Sequence, residues 1–207
     1  MNSSGAATIR RQVPTDAAAV RDVIGGAFQG RAEVVALEEA LASRADSTGY
    51  VGVLDDRVAG HVRLTRGWID AKPRLVEVRY LSPLSVAPEA QRRGIGRALV
   101  RHAVSEATHA GIPAIFLEGD PGYYAPLGWM PASDLGVTPP SDRIPPPGFQ
   151  AVALPGWEPW MRGPLVYADT FWALDLVGLR GDALARVRQR LEAAATTKPY
   201  GEPHVHQ

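Results

Sequence analysis

The stretch QRRGIGRAL, Gln91 to Leu99, constrains the fold of this 207-residue chain more than any other. Two glycines, one residue apart, open a segment in which Val100, Ala103, Val104 and Ala107 recur at helical spacing, and Gly111 with Pro113 ends the run. A glycine inside a helix costs about 1 kcal/mol, so bare backbone must be needed there. The first amides of a helix are unpaired and carry partial positive charge. Glycines let an anion reach those amides with no Cβ in the way. With Arg92, Arg93 and Arg97 alongside, the order strand, loop, Gly-x-Gly, amphipathic helix reads as a pyrophosphate cradle. A loop that only needs glycine torsions is the alternative. Two familiar phosphate loops are excluded. A Walker loop places Lys-Ser/Thr after its glycines, where this chain has Arg97-Ala98. A dinucleotide fingerprint wants a small residue at Leu99 and a strand running straight into the first glycine, whereas the strand here ends near Val86.

Other segments fill in an alternating α/β pattern. Thr8–Val13 reads as a strand, and PTDAAAVRDVIGGAF as a helix with Thr15 or Asp16 near its start and Ala18, Val20, Val23, Ile24 and Ala27 on its apolar face. A second helix spans Val34–Ala45, with Val34, Leu37 and Leu41 on one stripe. GYVGVLDDRVAGHVRL reads as two strands turning at Asp55-Asp56. Arg74–Val86 is a further strand in which Pro83 predicts a bend or bulge. PAIFLEG is a short apolar strand. Eight of the eighteen prolines fall between Pro139 and Pro164, a long connection with short strands near Phe149–Leu154 and Leu165–Tyr167. Loops of that length in a compact domain usually cover something. A last helix is expected at Asp182–Ala195, with Leu184, Val187 and Leu191 inward, and a loose tail at 196–207.

Formal net charge is zero, only Lys72 and Lys198 are lysines, and no basic run exceeds two residues, so no nucleic-acid partner is expected. With no cysteine there is no disulfide, thiolate metal site or cysteine nucleophile. The N-terminus lacks an apolar signal core and no window approaches about 18 apolar residues. The expectation is a cytoplasmic protein with no membrane partner. His61 is expected in packing, His102 and His109 are seven apart on a helix and lack acidic partners at ligand spacing, and His204 and His206 in the tail could bind metal only adventitiously, so no structural metal is expected.

LSVAPEAQRRGIGRALVRHAV closely resembles the acetyl-CoA-binding segment of GNAT-type N-acetyltransferases, whose pattern is Gln/Arg-x-x-Gly-x-Gly/Ala after a bulged strand. Gln91, Arg92, Arg93, Gly94, Ile95 and Gly96 fill it. A second match is YYAPLGW, with Tyr124, Gly128 and Trp129 in the places of the family's tyrosine and Gly-aromatic pair. GDPGYYAPLGW, GVTPP and VYADTFW further resemble a bacterial subgroup of predicted acetyltransferases like YhbS. The resemblance implies an α/β (α+β) GNAT fold: a central mixed, mostly antiparallel sheet with a splayed, bulged strand, flanked by helices. The resemblance covers about Ile9 to Trp172, so an acetyltransferase domain is expected over residues 1–172; a helical extension over 173–195, packed on the same domain, and a tail over 196–207 lie outside the match.

The implied chemistry is direct transfer: an amine of a small molecule or of a protein or peptide attacks the thioester of acetyl-CoA. Leu84, Ser85 and Val86 would pair with the pantetheine arm, and the Val86 N–H would polarise the thioester carbonyl. The pyrophosphate would rest on the amides of Arg93, Gly94, Ile95, Gly96, Arg97 and Ala98, with Gln91 and Arg92 in the same loop. Tyr124 would donate a hydrogen bond or proton to the leaving thiolate, with Tyr123 as its substitute. The general base is open. Counting back from Gly94 by the family's spacing lands on Tyr80, not an acid. Glu77 is one candidate, on the opposite strand parity unless the bulge resets it; Glu118, Asp120 and a water relay are others. The family's usual asparagine near this strand end is absent, with Gly119-Asp120 in its place. The proline-rich segment after Trp129 is where this family would shape an acceptor pocket. Many relatives dimerise, so a homodimer is open. A non-catalytic acyl-CoA-binding or sensing module is the alternative function.

Overall fold

The structure is a computed structural model and describes residues 6–196. The expected tail therefore lies almost wholly outside the described residues. Along the chain come β1 (Thr8–Arg11), α1 (Ala17–Ala27), α2 (Ala32–Ala42), β2 (Ser47–Leu54), β3 (Arg57–Asp70) and β4 (Leu75–Val86). Then follow α3 (Ile95–His109), β5 (Ala114–Glu118), α4 (Pro121–Tyr124), β6 (Met130–Pro131), β7 (Val137–Thr138) and β8 (Phe149–Ala153). β9 (Gly163–Val166), α5 (Asp169–Ala173) and α6 (Gly181–Thr196) complete the order. The strands form one mixed sheet, β1-β2-β3-β4-β5-β8-β6, with β9 added to β3 and β7 to β9. Its ladders are antiparallel except β4 with β5 and β7 with β9.

Alternation along the strands sorts the side chains onto two helical layers. Val51 on β2 packs with Val20 and Ile24 of α1 and Val34 of α2. Val62 and Leu64 on β3 belong to the opposite layer, with Leu99, Val100 and Ala103 of α3. Asp55 and Asp56 join β2 to β3 with both residues at positive φ, as a two-residue primed hairpin requires.

Asp16 does stand at the start of the first helix, as the N-cap of α1 at the end of a 3-10 turn over Pro14–Asp16, although its side chain does not cap the helix. Asp16 is drawn off by Arg10 and by the Val13 N–H at 2.8 Å. Ala18, expected on the buried face, is exposed. On α6, Val187 is buried and Leu184 half-buried, while the side chain of Leu191 lies outside what the structure describes. The proline-rich connection does cover something: Ile144, Phe149, Met161, Leu165, Tyr167 and Phe171 pack on Tyr80, Phe116 and Leu41 in one buried cluster.

Candidate active site

The site follows from a break in one ladder. β4 and β5 pair in parallel at Arg79↔Ile115 and Tyr80↔Phe116, and beyond that point no further pair joins them. On its other side β4 stays paired with β3, through a bulge in which Val62↔Leu84 and Leu64↔Leu81 leave Ser82 and Pro83 opposite Arg63 alone. This is the bulge that Pro83 predicts. β4 thus bends away from β5 and leaves its outer edge open.

The direction of the exposed groups can be read from the ladder. The Ala87 N–H donates to Ala59 O at 2.9 Å, so Ala87 faces β3. Backbone groups alternate sides along a strand, so Ser85 also faces β3 while Leu84 and Val86 face the opening. Of the three residues expected to bind pantetheine, two therefore present their amides to the gap. The Ser85 side chain is buried, and its hydroxyl has no partner among the described residues. The Val86 carbonyl accepts from Gln91 Nε2 at 3.2 Å, which ties the start of the glycine loop to the strand edge.

At the end of the gap stands the N-terminus of α3. Gly94 is its N-cap at φ +82°, a left-handed conformation that disfavours any Cβ, with open space around it. Its carbonyl accepts from the Ala98 N–H at 3.0 Å. Arg92 also has positive φ, and Gln91, Arg92, Arg93, Gly94 and Arg97 are exposed while Ile95 anchors the turn in the core. Gly96 differs: its backbone is ordinary, but a Cβ there would meet the Tyr123 hydroxyl and displace that side chain. Tyr123 thus lies across the helix start, partly exposed, and burial pushes its pKa up against the pull of Arg97.

The β5 side of the gap is aromatic. Asp120 caps α4 by accepting from the Gly122 N–H at 2.9 Å, which engages one of the carboxylates weighed as a base. The Tyr124 ring lies so close to Gly119 that a Cβ on Gly119 would meet it. It sits edge-on to Trp129 at 5.7 Å and to Tyr123 at 4.8 Å. Tyr124 is buried, its pKa is pushed well up, mainly by that burial, and no described residue hydrogen-bonds its hydroxyl.

Glu77 is not brought to this cluster. The bulge lies beyond Tyr80, so it does not reset the register from Glu77↔Trp68 to Tyr80↔Thr65, and Glu77 stays on the face opposite Tyr80. There it pairs with Arg79 at 2.6 Å and, with Arg44, Asp46 and Arg66, lines an open cavity of about 480 Å³. Glu118 is the carboxylate at the gap. It is two residues past Phe116 on β5 and shares the Tyr80 face. Its Oε1 accepts from the Tyr80 hydroxyl at 3.1 Å and the Tyr167 hydroxyl at 2.9 Å. Burial pushes its pKa up to about 7, against the lowering pull of Tyr167, Tyr80, the Gly178 N–H and Arg143. Tyr167 was missed as a site residue in the sequence, although it lies in the VYADTFW match. Tyr80 was noticed only as the place where an acid was lacking.

A second polar cluster is buried under α2. Arg63 Nε donates to Glu38 Oε2 at 2.7 Å, and His61 Nε2 lies 3.2 Å from Gln12 Oε1. Burial, then the Arg63 charge, pushes the His61 pKa down to about 3, so it stays neutral. Among the described residues no group of three or more His, Asp or Glu side chains could hold a metal ion. None of the described helices is long and apolar enough to cross a membrane.

Residues 19–126 match the model of the acetyltransferase (GNAT) family. The chain is 30% identical over 131 residues to the uncharacterized N-acetyltransferase YjhQ of Escherichia coli strain K12, covering 61% of this chain and 71% of that protein. Its fold is similar to the GNAT family N-acetyltransferase YhbS of Escherichia coli solved in complex with CoA. The TM-score is 0.72 at 22% identity, over 83% of this chain and 94% of that one. It is also similar to a GNAT family acetyltransferase of Brucella melitensis solved in complex with acetyl-CoA, with TM-score 0.63 at 28% identity, over 80% and 97% of the two chains.

Proposed function

The chain belongs to the acetyltransferase (GNAT) family, and from that premise we propose that it transfers the acetyl group of acetyl-CoA to a primary amine by direct attack on the thioester. The observation that carries this reading is the gap between β4 and β5, with free amides on one edge and a protonated phenol on the other. The residues suit acetyl-CoA. Leu84 and Val86 offer the kind of backbone edge that amides of a pantetheine arm can extend as a further strand. The first amides of α3, with Gly94 in its left-handed cap and Gly96 bare, suit a pyrophosphate. Arg92, Arg93 and Arg97 add positive charge there, and the Tyr123 hydroxyl stands close enough to join. The acetyl-CoA bound by the Brucella melitensis relative supports the same donor here.

In this reading the Val86 N–H polarises the thioester carbonyl as negative charge builds on its oxygen. Tyr124 donates to the departing thiolate. An ordinary thiol has a pKa of about 8.5, well below a buried phenol, so Tyr124 serves as a hydrogen-bond donor to the departing thiolate, and its proton passes to sulfur only as the proton shed by the new amide nitrogen replaces it. The acceptor is an amine of a small molecule or of a protein or peptide.

Release of CoA thiol from acetyl-CoA in the presence of primary amines tests the proposal, and the absence of cysteine gives that assay no protein background. Amine-dependent release is the expected result. Tight acetyl-CoA binding without any release would favour the acyl-CoA-sensing alternative.

A further inference from the structure

We propose that Glu118 is the proton acceptor of the transfer, held in place by the Tyr80 and Tyr167 hydroxyls across the mouth of the β4–β5 gap. The inference rests on the transferase reading and deepens it. It starts from a displacement. The position on β4 that the resemblance reserves for an acid holds Tyr80, and the Tyr80 hydroxyl donates to a carboxylate on the neighbouring strand. The acid has in effect moved one strand over while keeping the same face of the sheet. A second phenol, Tyr167, reaches the same oxygen from the chain that follows β9. With both phenols on Oε1, the lone pairs of Oε2 are where a further proton is taken.

The surroundings suit a base working near neutral pH. The groups facing Glu118 are Tyr80 from β4, Tyr167 after β9, the Gly178 N–H ahead of α6, and Arg143 from the proline-rich connection. Arg143 is itself paired with Asp175, which also holds Arg180. Tyr124, across the gap, bears on Tyr80 electrostatically. Burial raises Glu118 in spite of these partners. Raised carboxylates of this kind are the pattern expected of acid–base groups. Neither alternative acid is so placed: Glu77 lies on the other face with Arg79, and Asp120 caps α4.

The acceptor ammonium gives one proton to the Glu118 carboxylate, leaving R–NH2 and a neutral Glu118 carboxyl. The amine lone pair attacks the thioester carbon, so a C–N bond forms. The C–S bond then breaks and the thiolate takes the Tyr124 proton. The second N–H proton of the new amide nitrogen passes through solvent to restore Tyr124, and Glu118 releases its proton to solvent. The sum is ammonium plus acetyl-CoA giving amide, CoA thiol and one proton.

The test uses the full chain, acetyl-CoA, and two amine probes, n-butylamine and a lysine-containing peptide, with thiol release followed from about pH 6 to 9. Glu118→Gln, which keeps the shape, is expected to lower kcat about 100-fold with acetyl-CoA affinity by calorimetry within about twofold of wild type. The wild-type rate should rise to a plateau near pH 7. The variant's residual rate should instead keep climbing about tenfold per pH unit, because free amine must then come from solution (alkylamine pKa about 10.4). Tyr167→Phe, a second and milder variant, should move the wild-type limb to a different pH. Glu77→Gln should match wild type. Glu118→Gln with wild-type rate and the same limb would overturn the proposal and leave the transferase reading standing. So would loss of the limb in Glu77→Gln instead. Acetyl-CoA binding with no thiol release from either amine would overturn both.

Discussion

A phenol that must donate to a thiolate has to keep its proton until the thiolate forms, and the burial of Tyr124 ensures that it does. Its hydroxyl has no partner among the described residues, so nothing competes with a ligand for the donor. Tyr124→Phe should therefore lower kcat by about 10- to 100-fold with unchanged acetyl-CoA affinity, read by single-turnover thiol release. The two glycines of the cradle separate in the same way. Gly94 has space around it but a left-handed backbone, so Gly94→Ala should cost about 1–2 kcal/mol of stability, measured by urea unfolding. Gly96 has an ordinary backbone but Tyr123 against it, so Gly96→Val should weaken acetyl-CoA binding by displacing Tyr123, with a smaller effect on folding.

Among the elements, β4 decides the architecture of the site. Pro83 made its bulge legible in the sequence, and the bulge is why β4 holds β3 while parting from β5. The glycine loop was legible because all its parts are contiguous. The proton acceptor was not, because Tyr80, Glu118 and Tyr167 come from three segments, with Glu118 38 residues from Tyr80 and 49 from Tyr167. Periodicity reports which face a residue takes, but not which distant strand lies beside it. The same holds for α2, whose apolar stripe was readable but whose buried ion pair was not: Arg63 and Glu38 are 25 residues apart. Removing one partner of a buried pair leaves the other charge uncompensated. Arg63→Leu should cost about 3–5 kcal/mol, visible as a lower urea midpoint, with α2 loosened from the sheet.

At the scale of the whole molecule, the buried titratable groups set opposing pH dependences of stability. Neutral His61 resists protonation to about pH 3, whereas an unfolded histidine protonates near 6.5, so its contribution is lost as pH falls below about 6.5. Asp16 and Asp46 are held below the usual carboxylate range, chiefly by hydrogen bonds from Arg10 and Arg44, and their contribution is lost below about pH 4. Glu118 works in the opposite sense. Its folded pKa of about 7 exceeds the unfolded value near 4.3, so its contribution is full at low pH and lost as pH rises to 7. Glu118→Gln should therefore be more stable than wild type at pH 8, and that advantage should shrink by pH 5. Urea unfolding at the two pH values checks it. A variant that gains stability while losing turnover would mark Glu118 as a group kept for chemistry.

In the reading proposed above, the gap between β4 and β5, ended by the start of α3, is an acetyl-CoA site. Its most direct test is a calorimetric titration of the full chain with acetyl-CoA, run beside CoA and ATP and repeated with Gly96→Val. Expected are binding of both CoA compounds with a Kd on the order of micromolar (about −8 kcal/mol), none of ATP, and a large loss in the variant. Equal affinity for ATP, or acetyl-CoA binding untouched by Gly96→Val in a folded protein, would contradict it.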